Sequence, residues 1–387
     1  MPSPTNTDAS WKVNILPGLA DVDPAAWDAL VGDGGPFLEW GWLASLEEAG
    51  CVTAETGWLP QHLVLYEGDR LIGACPLYVK GHSQGEFVFD HGWADAAQRA
   101  GLAYYPKLLV AAPFTPASGV RLLSLPGVDR PSVTRALGAT LQRLCREGPF
   151  SSVHVNFCAP DEVEALAQVG FERRTGHQFQ WINRDWESFD DYLNAFRSKR
   201  RNQIKRERRE LTAQGITITA YQGAEIPDEL FDPMFDLYTT TVDKFYWGQR
   251  YLNRPLFDLL RRRWKHRLCF ILARRGEQIV AGTFNVRKGA VLYGRYWGAF
   301  EDLRHLHFNV CYYAAVELCL REGITRFEPG AGGGFKYLRG FDAQPTDSMH
   351  YVDDQRLADA IRRYLAHERS ATADEIAWLD ERSSLKR

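Results

Sequence analysis

The chain repeats itself, and that repetition constrains its fold more than any single motif does. Residues 63–81 read LVLYEGDRLIGACPLYVKG and residues 271–289 read ILARRGEQIVAGTFNVRKG, aligned without gaps at an offset of 208. Gly68, Asp69 and Arg70 meet Gly276, Glu277 and Gln278, and Lys80-Gly81 meets Lys288-Gly289. Each copy predicts an apolar strand, a tight glycine-containing turn and a second strand with apolar alternation. At the same offset Phe37 falls on Phe245, each within an aromatic stretch, FLEWGWL and FYWGQRYL.

A second echo follows in the same order. TLQRLCREGPFSSVHVNF (140–157) resembles VELCLREGITRFEPG (316–330), with Arg146-Glu147-Gly148 falling on Arg321-Glu322-Gly323. Both copies predict a helix ended by glycine and then a strand. The offset is now 175 rather than 208, so the first copy carries 33 extra residues, among them YYPKLLVAAPFTPASG (104–119).

A chain of 387 residues exceeds the size at which one core stops growing. The expected organisation is therefore two lobes, 1–185 with a loop insertion near 104–121, and 186–387 opening on a basic helix at 196–211. The expected class is α/β (α+β), each lobe a mixed, mostly antiparallel sheet flanked by helices. No low-complexity linker separates the halves, so they are expected to pack closely around a cleft. An amphipathic helix near 354–368 closes the pattern.

Composition matters mainly for what it excludes. Hydrophobic residues make up 45% and charged residues 25%, as in a soluble globular protein. A net charge of −3 argues against a surface that binds polyanions everywhere, so any basic surface must be local. Seven cysteines, with no CxxC pair, read as reduced and buried. The first residues, MPSPTNTDAS, lack a basic and then apolar leader, and no apolar run approaches the ~20 residues of a membrane span. The cytoplasm is the expected location.

FEPGAGGGFKYLRGF (327–341) is the most suggestive stretch for chemistry. It lacks the Gly-Lys-Ser/Thr of a phosphate-binding P-loop and contains no GxGxxG. Its glycines let backbone amides approach an oxygen, and Gly332 and Gly333 are assigned to donor binding. Lys336 and Arg339 add charge to hold phosphate or a developing oxyanion. Glu328, at the strand end, is placed to position or deprotonate an amine. A floppy turn is the bland alternative.

The run RSKRRNQIKRERRE (197–210) carries eight Lys/Arg against one Glu up to residue 209. Arg197, Arg201, Lys205 and Arg208 fall on one helical stripe, with Arg200 beside it, while Ile204 and Leu211 mark a docking face. This helix is either a solvated surface or a cradle for a polyanion such as tRNA or a phosphate-rich coenzyme. His305 and His307 form an HxH, but no third ligand at metal spacing accompanies it, so no metal or cofactor is expected. GxSxG and SxxK are absent, which leaves direct attack by an amine on an activated acyl group. Tyr312, in HFNVCYYAAVELC, either packs or lends its phenol to a carbonyl, with His307 as a second helper. PFTP with Arg121 forms a proline-fixed loop, and Phe114, Arg121 and His177 are the residues assigned to the acceptor.

These segments resemble a known family. HQFQWIN (177–183), RSKRRNQIKRERR, HLHFNVCYY with its FEPGA sequel, and the K–RGF motif leading into PTDSMH are similar to the FemAB/peptidoglycan-biosynthesis-like N-acyltransferases of the GNAT-like superfamily. The resemblance runs from FLEWGWL to His350 and implies tandem GNAT-like lobes. It implies transfer of an aminoacyl group from aminoacyl-tRNA to an amine on a small molecule or peptide. Relatives carry Glu-His where this chain has Gly334-Phe335, a departure that bears on activity. An acyl-CoA-dependent enzyme is the first alternative, although the pyrophosphate-gripping loop of such enzymes has no clean copy here; PASGVRLL (116–123) comes nearest. A non-catalytic module binding a cell-wall precursor or partner protein is the second.

Overall fold

The computed structural model describes residues 11–243 and 250–386. Fifteen strands are present among them. The first half supplies β1 (Lys12–Leu16), β2 (Trp58–Pro60), β3 (His62–Glu67), β4 (Arg70–Cys75), β5 (Leu77–Lys80), β6 (Lys107–Val110), β7 (Leu123–Ser124), β8 (Ser152–Cys158) and β9 (Glu172–Ile182). The second supplies β10 (Ile216–Gln222), β11 (Leu268–Arg275), β12 (Gln278–Lys288), β13 (Val291–Ala299), β14 (Arg326–Glu328) and β15 (Asp342–Val352).

Both echoes are structural repeats. β3–β4 and β11–β12 are antiparallel hairpins turned by Gly68-Asp69 and Gly276-Glu277. The two turn glycines take φ +58 and +57, the left-handed region that only glycine enters without strain. Each hairpin breaks register at the corresponding place, between Leu65 and Tyr66 and between Ala273 and Arg274, which is the same position once 208 is added. In each half a further strand pairs antiparallel with the hairpin's first strand, β1 with β3 and β10 with β11. The second echo gives the helices Arg130–Glu147 and Ala314–Arg321, each followed by a strand lying parallel to an earlier one, β8 to β6 and β14 to β13. The third proposed match, Phe37 with Phe245, lies outside the described residues.

The copies diverge at one residue. Pro76 occupies the place of Phe284 and has no N–H for the ladder, so the first copy's strand breaks there. β4 stays in a four-stranded sheet, order β1-β3-β4-β7, while β5 crosses into an 11-stranded sheet. That larger sheet, order β10-β11-β12-β13-β14-β9-β15-β8-β6-β5-β2, runs through both halves. β15, from the second half, lies between β8 and β9 of the first, and β9 in turn pairs with β14.

Apolar packing reinforces the junction. One core cluster holds Phe37, Trp42 and Trp58 from the first half with Trp264, Phe270 and Phe284 from the second. Trp42 and Trp264 have ring centroids 5.0 Å apart. Glu39 accepts from Trp264 Nε1 at 2.8 Å and from Arg267 at 2.8 and 3.0 Å, an ion pair across the halves. The helix Phe231–Val242 lies so close to β13 that a Cβ on Gly298 would sit 1.8 Å from the Leu237 carbonyl oxygen, so no side chain fits there.

The closing helix is longer than its pattern suggested, Gln355–Glu381, with Asp354 capping the Leu357 amide. Its Leu357, Ile361 and Leu365 are buried at four-residue spacing in a cluster with Trp93, Ala97, Tyr104 and Val352, and the helix runs alongside β9 and β15. All seven cysteines are unpaired. Among the described residues, no helix is long and apolar enough to cross a membrane.

Candidate functional site

Parallel β13 and β14 pair over three positions, Val291 with Arg326, Leu292 with Phe327 and Tyr293 with Glu328, where β14 ends. Alternation sets their faces: Phe327 and Leu292 enter the second half's core, so Arg326, Glu328 and Tyr293 point to the other side. Next along β13 comes a bulge, since Phe284 faces Tyr296 while Asn285 faces Gly294, leaving Arg295 as the extra residue. A bulge re-aims side chains. Here Arg295 turns toward the first half, its guanidinium 5.4 Å from the Phe37 ring, while Tyr296 packs on Tyr238 and Phe284 of its own half.

The first half meets this face with the loop the sequence singled out. An N–H of Arg295 donates to the Phe114 carbonyl, which a φ of +56 turns toward it. Phe114's ring stacks on Tyr251 at 4.8 Å and lines a cavity of about 330 Å³ with Trp58, His82 and Arg250. Arg121 does not reach outward as expected for acceptor binding. Its guanidinium is buried and donates to the carbonyls of Asn156, Gly119, Val120 and Ala117, which makes it the clasp of the loop.

Glu328 is 5% exposed. Burial is the largest influence on its carboxyl and pushes its pKa up to about 7, against the pull of Arg326, Arg121, Arg295 and the Ser118 backbone. Tyr293 beside it is pushed up to about 12, again chiefly by burial. Four polar groups here are shielded from solvent and lack a well-formed hydrogen bond among the described residues, Glu328 Oε1, Arg326 Nε, Arg295 Nε and the Tyr296 hydroxyl, although Glu328 Oε1 and Arg326 Nε form an ion pair at 3.4 Å. Buried polar groups are nearly always well paired, so loosely paired charges around Glu328 mark it as the candidate site.

The other predicted catalytic residues form a separate cluster, on the second half's own helices. Lys336 Nζ curls back to donate to Gly330 O at 2.6 Å, closing the glycine loop; burial lowers its pKa to about 8. Gly330, Gly332 and Gly333 take φ of +84, +69 and +83, so this loop needs glycine for its shape. Arg339 is not free to hold phosphate, contrary to expectation. It is buried, stacks 3.4 Å from the Phe308 ring centroid, and pairs with Glu207 at 3.5 Å. Glu207 also accepts from the Tyr313 hydroxyl and, at 2.8 Å, from Gln203. Glu207, the one acid among the eight bases of 197–209, is thus the helix's buried anchor. His307 packs among Trp297, Tyr312, Phe308 and Phe335, and burial lowers its pKa to about 4. Phe335, at the departure from the family pattern, lids this aromatic nest. Tyr312 sits within it, on a π-helical turn, Asn309–Tyr313.

The basic helix spans Ser198–Ala213, with Ile204, Glu207 and Leu211 on its buried side. Arg208 is taken, pairing with Glu317 at 3.0 Å and covering the Phe189 ring at 4.2 Å. Arg197, Arg201 and Lys205 have no ion-pair partner among the described residues, and Arg200 bonds only Gln203. His177 lies elsewhere. It shares the sheet face of Trp181 and stands 3.8 Å from Glu375 of the closing helix, which puts it on the opposite side of the sheet from Glu328. Arg295, Arg326, Tyr293 and Tyr296 were missed; the signal was GRYWG, a charge inside an otherwise aromatic strand. Among the described residues, no group of three His, Cys, Asp or Glu could hold a metal.

A mixed sheet running through both halves, with a repeated hairpin and a parallel strand pair in each, is the frame of a GNAT-like fold. The chain belongs to the FemAB-like family, described as peptidoglycan biosynthesis/recognition, which matches residues 18–387. Membership makes it an enzyme of the aminoacyltransferase class. Among solved structures it is similar to FemX, with 12% identity over 88% of this chain and 98% of that one, at a TM-score of 0.55. It is similar also to L-PGS from Bacillus licheniformis, with 10% identity over 89% of this chain and 96% of that one, at 0.53. At such identities the likeness is one of fold. No curated protein matches the chain in sequence.

Proposed function

We propose that this protein transfers an aminoacyl group from aminoacyl-tRNA to an acceptor amine, with the reaction centred on Glu328. The observation that carries the reading is Glu328 itself: a carboxyl buried where the two halves meet, its pKa pushed up to about 7 by burial and its Oε1 paired only loosely, at 3.4 Å, with Arg326. A base whose pKa lies near the working pH takes a proton efficiently. The acceptor amine attacks the acyl carbonyl carbon, the C–N bond forms and the ester C–O bond to the tRNA ribose breaks. The amine's proton passes to Glu328, which hands it on to the released ribose oxygen, so the ribose leaves as a hydroxyl and Glu328 is ready again.

The unpaired cations of the basic helix, Arg197, Arg201 and Lys205, meet the donor's phosphates, while Arg208 supports the helix from beneath. Lys336 acts through the loop that follows Glu328, fixing the Gly330 carbonyl. Incubation with labelled aminoacyl-tRNA and a panel of amines tests the reading. Amide product that disappears in Glu328→Gln supports it; equal turnover in Glu328→Gln, or turnover only with acyl-CoA, ends it.

A further inference from the structure

Glu328 is faced by a loop from the other half of the chain, and the hydrogen bonds of that loop show what aims it. Between β6 and β7, residues 111–122 form no regular element, so their buried backbone groups need partners outside any ladder. Arg121, 3% exposed, serves its neighbours in this way. It donates through Nε to Asn156 O at 2.8 Å, through Nη1 to Gly119 O at 3.2 Å and Val120 O at 3.0 Å, and through Nη2 to Ala117 O. Its own N–H and that of Leu122 donate to one oxygen of the buried Glu162, at 2.7 and 2.6 Å. Gly119 N donates to Phe157 O at 3.0 Å, and Arg295 from the second half holds the Phe114 carbonyl. Ser118 lies between these grips, and its backbone N–H faces the Glu328 carboxyl.

The Ala117 carbonyl and the Ser118 N–H belong to one peptide unit. In a trans peptide the two point in opposite directions within a rigid plane, so a donor that fixes the carbonyl also fixes where the N–H aims. Arg121 is that donor, and a hydrogen bond at one end of a peptide polarises and strengthens the one at the other. The Ser118 N–H favours the ionised carboxyl, as do Arg326 on the same strand, Arg295 on β13 and the charge of Arg121 itself, while the Tyr293 phenol beside them stays neutral. We infer that Arg121 is a positioning residue for the transfer reaction: its grip on the Ala117 carbonyl turns the Ser118 N–H onto Glu328 and so sets how readily that carboxyl works as the base. This rests on the reading of Glu328 as the base, and it gives that base a support from the opposite half of the chain.

An arginine fork spans several carbonyls, whereas a lysine carries the same charge at a single point and cannot. The pH profile of kcat/KM is therefore measured for the parent, Arg121→Lys and Arg121→Gln. Both variants are expected to move the acid limb to higher pH by about one unit or more, the scale of a lost hydrogen bond to an ion. A limb that stays in place in both folded variants overturns the inference. So does a limb that shifts in Arg121→Gln and returns to the parent position in Arg121→Lys, since charge then accounts for the whole effect. Because Arg121 is buried, the parent protein supplies an independent reading by NMR of isotope-labelled serine. The Ser118 N–H resonance is expected to titrate with Glu328 and to stop titrating in Glu328→Gln. A resonance that ignores pH, or that titrates unchanged in Glu328→Gln, overturns the inference even where neither Arg121 variant folds. If the resonance titrates but no product forms from aminoacyl-tRNA, the transfer reading fails and the hold on Glu328 stands; if transfer needs Glu328 yet both variant profiles match the parent's, the positioning role alone fails.

Discussion

The surroundings of Glu328 and of Arg339 are both buried, charged and rich in aromatic rings, yet they are built to opposite ends. Around Arg339, Glu207, the Tyr313 hydroxyl and the Phe308 ring leave little unmet. Around Glu328 the pairing is loose: Arg326 Nε stands 3.4 Å from its Oε1, and Arg295 Nε and the Tyr296 hydroxyl lack a well-formed hydrogen bond. Satisfied burial rigidifies a fold, whereas unsatisfied burial is retained where something else completes it. Position in the sequence would have ranked Arg339 and Glu328 alike.

The comparison breaks most visibly in activity. Glu328→Gln should lower turnover by roughly 100-fold or more, the scale of a lost general base, while the protein stays folded. Glu207→Ala should do the reverse: it leaves Arg339 buried without its partner, a destabilisation of about 3–5 kcal/mol by chemical unfolding. Comparable losses of activity per folded molecule in both variants would erase the distinction.

A finer test uses pH. Glu328 ionises in the unfolded chain near the ordinary glutamate value but only near 7 when folded, so the folded state holds a proton that the unfolded state has released. Stability should therefore fall as pH rises from about 4.5 through about 7, by up to roughly 3 kcal/mol at 1.36 kcal/mol per pKa unit. Glu328→Gln should remove that slope and melt higher than the parent at pH 8. Smaller still is the contrast on the basic helix. Lys205→Ala should flatten the salt dependence of tRNA binding by about 0.7–0.9 in log–log slope, one phosphate contact, and Arg208→Ala should leave it unchanged.

Much of this fold was legible in the chain. The repeated hairpin could be read because its turn demands glycine, and Gly68 and Gly276 could not be exchanged for other residues without strain. The basic helix was legible from charge and from Ile204 and Leu211, but the role of Glu207 was not, since one acid among eight bases looks incidental until its neighbours are known. The site was half-legible. Glu328 ends a recognisable strand, whereas Arg295 depends on a bulge, an irregularity set by pairing with β12 and invisible to alternation. Lys336 and Arg339 were grouped with Glu328 because they are near in sequence, yet the glycine loop carries the chain away from the junction before they arrive.

The passage of β15 between β8 and β9 has a consequence for synthesis. While a ribosome is still making the middle of this protein, the first half cannot complete its own sheet, because the strand that fills the gap has not been translated. Until it arrives, β8 and β9 expose unpaired edges of the kind on which chains stick to one another. The nascent protein should need a chaperone over that interval, and ribosome-bound chains stopped before Asp342 should be cut by protease where released full-length chains resist.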